Sequence, residues 1–123
     1  MLRIGTVVLG VDDVRRAADF WEEALGYVPR GVVEDDFTVL VPGDGGPGTH
    51  LALQRSETPV QTHPRVHLDL YAGDARDQAA QVQRLVGLGA ERVDWDLYPD
   101  NPDFIVLADP DGNRFCVIDT AHG

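Results

Sequence analysis

The chain has 123 residues, enough for one domain whose apolar core needs no disulfide or metal staple. Ten arginines, no lysine and twenty-one acidic residues leave a net charge of −11, which repels phosphate backbones and excludes nucleic acid as the natural partner. The missing lysine also removes the phosphate-binding P-loop, Schiff-base chemistry and Ser-Lys hydrolysis, while one cysteine forbids an intrachain disulfide. The opening MLRIGTVVLG has neither a long apolar core nor a small-residue cleavage site, so we expect a cytoplasmic protein that does not engage a membrane.

The first predicted strand starts at Thr6 and runs into Asp13, a residue that caps helices. Val14, Ala17, Ala18, Trp21, Ala24 and Leu25 then follow helical spacing, which predicts a helix over 13–25 stopped at Gly26. A short strand is expected around 29–34, a longer one from Phe37 into the PGDG turn, and a return strand at His50–Gln54. Pro, Thr and Ser cluster between Ser56 and Pro64, which marks a boundary.

Beyond that boundary the plan repeats. HLDLYAGD, from His67, lies over TVVLGVDD, from Thr6, at a constant offset of sixty-one (67 − 6), each a strand running into a capping Asp. Ala75, Ala79, Val82, Leu85 and Val86 predict a helix over 74–88 with a Leu88-Gly89 stop that echoes Leu25-Gly26. A short strand around 91–96, a strand from Phe104 into the DPDG turn and a return strand at Arg114–Ile118 complete the second unit. The fold class is therefore α+β: tandem βαβββ repeats, about 1–58 and 62–123, folded onto each other as a single domain over 1–123. A ferredoxin-like sandwich with chance internal similarity is the alternative.

Strand alternation selects the side chains that share one face. If His67 faces inward so does Asp69, and the same reasoning puts Thr6 and Val8, then His50, Ala52 and Gln54, then Arg114, Cys116 and Ile118 on the inner side. That face is polar for a covered surface and suits a small-molecule pocket with contacts from Thr6, His50, Gln54, His67, Asp69 and Arg114 and with Cys116 on its floor. Trp95 and Tyr98, in the acidic stretch DWDLYPDNPD, are either the rim of that pocket or a cover for a sheet edge. For His67 the readings are a histidine satisfied by Asp69, a ligand contact, or a metal ligand with Asp69 as acceptor for its second nitrogen. For Cys116 they are a small apolar filler, a zinc thiolate paired with His67, or a nucleophile.

The motifs DFWEEALGY, RVHLDL and LADPDGNRFCVID, in that order, resemble the vicinal oxygen chelate superfamily, which includes glyoxalase I, extradiol dioxygenases, fosfomycin-modifying enzymes and bleomycin-binding proteins. The resemblance implies that each repeat rolls into a half-barrel and that a metal is held from the first and last strand of each repeat. Carried over, those positions are Thr6, a residue near Ala52, His67 and Cys116. Only His67 is a usual ligand there, so we expect a protein that binds a small molecule with no cofactor and without the usual metal site. The alternatives are a metal-dependent lyase, isomerase, dioxygenase or thiol transferase with His67 and Cys116 on a divalent metal, and a bleomycin-type resistance protein that sequesters a cationic drug on an acidic surface. Relatives also make a homodimer an admissible assembly.

Overall fold

In the computed structural model, which describes all 123 residues, β-branched Thr6–Val11 forms β1 and the chain then turns into α1, Val14–Leu25. Asp13 caps that helix, its carboxylate accepting the Arg16 backbone N–H. At the other end Gly26 adopts φ 69°, a left-handed conformation that costs other residues about 1–2 kcal/mol, and its N–H bonds the Glu22 carbonyl. Strands β2 (Tyr27–Pro29), β3 (Phe37–Pro42) and β4 (His50–Arg55) follow, and the sheet order is β1-β4-β3-β2.

β1 and β4 are parallel, which requires a long connection; the other neighbours are antiparallel. The helix in that connection packs on one sheet face, where Val14, Ala17, Ala18, Phe20 and Trp21 bury against β3 and β4. Leu40, Leu51 and Leu53 form the floor beneath them. A Leu53→Ala change there would cost about 2–5 kcal/mol. Phe20, outside the predicted stripe, is buried through an edge-to-face contact with Trp21 at a centroid distance of 5.0 Å.

Residues 60–123 form a second compact unit with the same plan, against 1–59 for the first, close to the predicted repeats. β5 (Asp69–Gly73), α2 (Ala75–Leu88), β6 (Glu91–Arg92), β7 (Phe104–Ala108) and β8 (Arg114–Asp119) give the order β5-β8-β7-β6, with β5 and β8 parallel. Asp74 opens α2 with a capping box: it accepts from the Arg76 and Asp77 N–H groups while Asp77 accepts from the Asp74 N–H. Val82 and Leu85 of α2 and Leu107, Phe115 and Val117 of the strands make the core.

Several boundaries differ from the sequence expectation. The strand expected around 29–34 is β2 at Tyr27–Pro29, directly after the helix stop, and the one expected around 91–96 is only Glu91–Arg92. Each is the outermost strand of its sheet, held by one neighbour, so little fixes its length. His67 precedes β5 by two residues. On α2 the buried positions are Gln78, Val82 and Leu85; Ala75, Ala79 and Val86 are exposed. Gln78 takes the inward place because its amide donates to the Asp103 carbonyl at 3.1 Å and the Val117 carbonyl at 3.0 Å, which satisfies a buried polar group and ties the helix to β8.

Candidate functional site

The chemistry concentrates on one face of the second sheet. Alternation along β8 sends Phe115 and Val117 to the α2 side and leaves Arg114, Cys116 and Ile118 on the other. Cys116 stands in register with Asp69 of β5 on one side and Val106 of β7 on the other. Its N–H bonds the Leu68 carbonyl at 2.9 Å, so the parallel ladder reaches back to the residue that follows His67. His67 and Asp69, two apart along the chain, share a side: His67 Nε2 lies 3.0 Å from Asp69 Oδ1. Both side chains are about half exposed, 44% and 48%, while Cys116 is buried beneath at 7%. One ligand-capable atom from each of the three lies within 4.8 Å of the others.

Burial pushes the Cys116 thiol up to about 12, and the Asp69 carboxylate adds to the shift through its charge and through the hydrogen bond it takes from the thiol. The sulfur is thus held as a neutral S–H donor at physiological pH, the opposite of the lowered value that activates a nucleophilic cysteine. Arg114, next on the same face, donates from one guanidinium nitrogen to the Gly112 carbonyl at 2.8 Å, and its Nε is buried without a partner.

The remaining predicted residues fall elsewhere. Trp95 is tilted against His63 with centroids 5.0 Å apart, and His63 pairs with Asp96 at 2.7 Å. Accepting that hydrogen bond holds the Asp96 carboxyl below its ordinary value. Tyr98 serves the sheet edge: its hydroxyl accepts the Val106 N–H at 2.8 Å and its ring lies 5.2 Å from that of Phe104. In the first unit Thr6 is in register with His50, and Gln54 with Gly10 of β1 and Phe37 of β3. The pair equivalent to Asp69 and Cys116 is Val8 and Ala52, which fixes Ala52 as the counterpart of the cysteine. The DPDG turn is held locally by Asp109, whose Oδ1 accepts from the Asp111 and Asn113 N–H groups.

The sequence model of the glyoxalase-like domain matches residues 6–118. The chain belongs to that family, within the vicinal oxygen chelate superfamily. Solved structures agree on the fold. A possible glyoxalase from Bacillus cereus is 22% identical with a TM-score of 0.71, covering 96% of this chain and 99% of that one. A glyoxalase/bleomycin resistance protein/dioxygenase family enzyme from Burkholderia phytofirmans is 13% identical at 0.73, covering 96% and 98%. A lactoylglutathione lyase from Agrobacterium tumefaciens is 20% identical at 0.64, covering 96% and 93%. No curated protein matches.

Within this glyoxalase-like domain the four metal positions implied by the resemblance are Thr6, Ala52, His67 and Cys116. Alanine has no donor atom and a neutral threonine hydroxyl is a weak one, so the first unit supplies nothing to replace the oxygen and nitrogen ligands that Mg, Mn or Fe(II) require. A hard-metal site of that kind does not fit the residues present. No signal in sequence spacing pointed to Gln78 or to the His63–Asp96 pair, which depend on contacts 25 to 39 residues apart.

Proposed function

We propose that this glyoxalase-like domain binds a small polar molecule at the face formed by His67, Asp69, Arg114 and Cys116, with no hard divalent cation. The observation that carries the reading is the unpartnered, buried Nε of Arg114 on the strand that also carries Cys116, beside a half-exposed His67–Asp69 pair. A buried donor without a partner costs about 1–3 kcal/mol, so a ligand acceptor at that nitrogen recovers free energy. Asp69 offers acceptor oxygens to the same ligand, and His67 a ring nitrogen beyond the one facing Asp69.

The net charge of −11 supports a second reading, sequestration of a cationic drug of the bleomycin kind. Thermal-shift screening of a metabolite set and of cationic glycopeptides, in the presence of a chelator, tests both. The main reading expects one chemical class to raise the Tm, with the shift lost in Arg114→Ala and Asp69→Ala. Stabilisation confined to glycopeptides and abolished by salt would replace it with the second, and shifts that survive both substitutions would remove the site.

A further inference from the structure

Residues 60–66, which lead into His67, are fastened to the second unit at two points. At the first, Val60 rests against the turn between β7 and β8: Gly112 has φ 91°, and a β-carbon there would lie 3.3 Å from Val60 Cγ1. The carbonyl of the same glycine accepts the Arg114 hydrogen bond at 2.8 Å. At the second, His63 closes on the loop between β6 and β7, with Nε2 2.7 Å from Asp96 Oδ1 and its ring tilted against Trp95 at 5.0 Å. Between the two points the Gln61 side chain accepts the Arg65 N–H at 3.3 Å, which folds the segment on itself. We propose that residues 60–66 form a pH-sensitive strap in which His63 is a positioning residue: its protonated ring, closed on Asp96 and Trp95, holds the backbone that places His67 and, through Val60 and Gly112, Arg114.

Both partners of His63 reward the same charge state. A hydrogen bond to a carboxylate is about twice as strong when its donor is a cation, and an indole face attracts a cation within about 6 Å of its centre. Histidine is the side chain that gains and loses such a charge near neutral pH. Asp96 supplies the fixed end, since the hydrogen bond from His63 is the largest cause holding its carboxyl below the ordinary value. The clasp is therefore complete while Asp96 is ionised and His63 protonated. It fails in strong acid, where Asp96 takes up a proton, and weakens as pH rises and the imidazolium loses one, because a neutral ring keeps only an uncharged N–H on the carboxylate. The other charged side chains on the two segments are Arg65 beside His63 and Asp94, Asp100 and Asp103 on the loop; Asp109 and Asp111 stand on the turn under Val60. The two clasp side chains are 51% and 69% exposed, so water screens them and the strap loosens locally without unfolding the unit. As regulation of a binding face the strap rests on the small-molecule reading above; as a clasp it is a property of the unliganded chain.

The test is an NMR titration of the whole unliganded chain between about pH 5 and about pH 8, the range in which histidine changes charge. The Trp95 indole N–H, the Val66 amide and the Arg114 Nε–H should follow the titration curve of the His63 ring. Exchange of the Arg65 amide, corrected for its intrinsic pH dependence, should run up to about fivefold faster at the alkaline end, the upper range for an exposed ion pair. His63→Gln keeps an N–H donor but no titrating charge, so it should remove that part of the curve at Val66 and Arg114 and hold Arg65 exchange at the faster rate throughout. Asp96→Asn should do the same from the other side of the clasp, and Asp35→Asn, in the first unit, should change nothing. Responses at Val66 and Arg114 that persist whole in His63→Gln belong to another group and overturn the proposal. A Trp95 signal that follows His63 while Val66 and Arg114 stay still also overturns it, since the pair is then a surface contact with no reach into the site. No ligand enters the experiment, so its failure leaves the small-molecule reading standing, and a ligand screen without hits leaves the strap standing.

Discussion

Cys116 stands in register with Asp69 across the parallel strands β5 and β8, and the same pairing in the first unit joins Ala52 to Val8. One backbone geometry is thus used twice, once with a thiol against a carboxylate and once with two apolar groups. The repeat positions two equivalent faces, and at this register only the second carries a thiol and a carboxylate.

The Cys116 thiol, raised to about 12 against an ordinary 9.0, should be nearly inert in metal-free protein. At pH 8 its labelling by iodoacetamide should run roughly a thousandfold slower than that of the denatured chain, because the thiolate fraction falls tenfold per unit. Asp69→Asn should speed labelling. Because the folded value is the higher one, the neutral thiol contributes stability below about 9, and that contribution is lost as pH rises toward about 12. Denaturant melts between these limits should show a downward slope that Cys116→Ala flattens.

Thr38 is 3% exposed on β3 and its hydroxyl has no hydrogen-bond partner. Thr38→Val keeps the shape and removes the unsatisfied oxygen, so it should stabilise the protein by about 1 kcal/mol. A lowered melting temperature in that variant would show that the hydroxyl is satisfied.

Gln78→Ala should destabilise by about 2–3 kcal/mol, since it opens space in the core and strips the Asp103 and Val117 carbonyls of a shared donor. Gln78→Leu, which fills the volume but not the hydrogen bonds, should recover part of that loss in chemical denaturation.

Tyr98→Phe should cost about 1 kcal/mol and speed hydrogen exchange at the Val106 amide, whose acceptor is the Tyr98 hydroxyl. Unchanged exchange at Val106 would argue against that bond.

The Asp96 carboxyl should titrate below the ordinary carboxylate range by carbon-detected NMR and return toward it in His63→Ala. Both partners are largely exposed, so the melting temperature should hardly move.

The duplication was legible because a strand, a capping Asp, an amphipathic stripe and a Leu-Gly stop each leave a local mark, and Asp13, Asp74, Gly26 and Gly89 sit where those marks placed them. His67 and Asp69 could be put on one side by alternation alone. What alternation does not carry is register: nothing local in RFCVI says that Cys116, rather than Arg114 or Ile118, lies opposite Asp69. The stripe on α2 was misjudged because hydropathy ranks Ala79 and Val86 above Gln78, and only the two carbonyls that receive its amide make glutamine the better inward residue.

The parallel pairing of β1 with β4 and of β5 with β8 also sets an order of assembly on the ribosome. Each unit's opening strand emerges early yet has no partner until the last strand of the unit, β4 or β8, is made and fills the gap between it and β3 or β7. A nascent chain arrested before Arg114 already carries His67 and Asp69 but leaves β5 and β7 unjoined. β8, Arg114–Asp119, both joins β5 to β7 and carries the sulfur, so the second sheet cannot close without bringing Cys116 to Asp69.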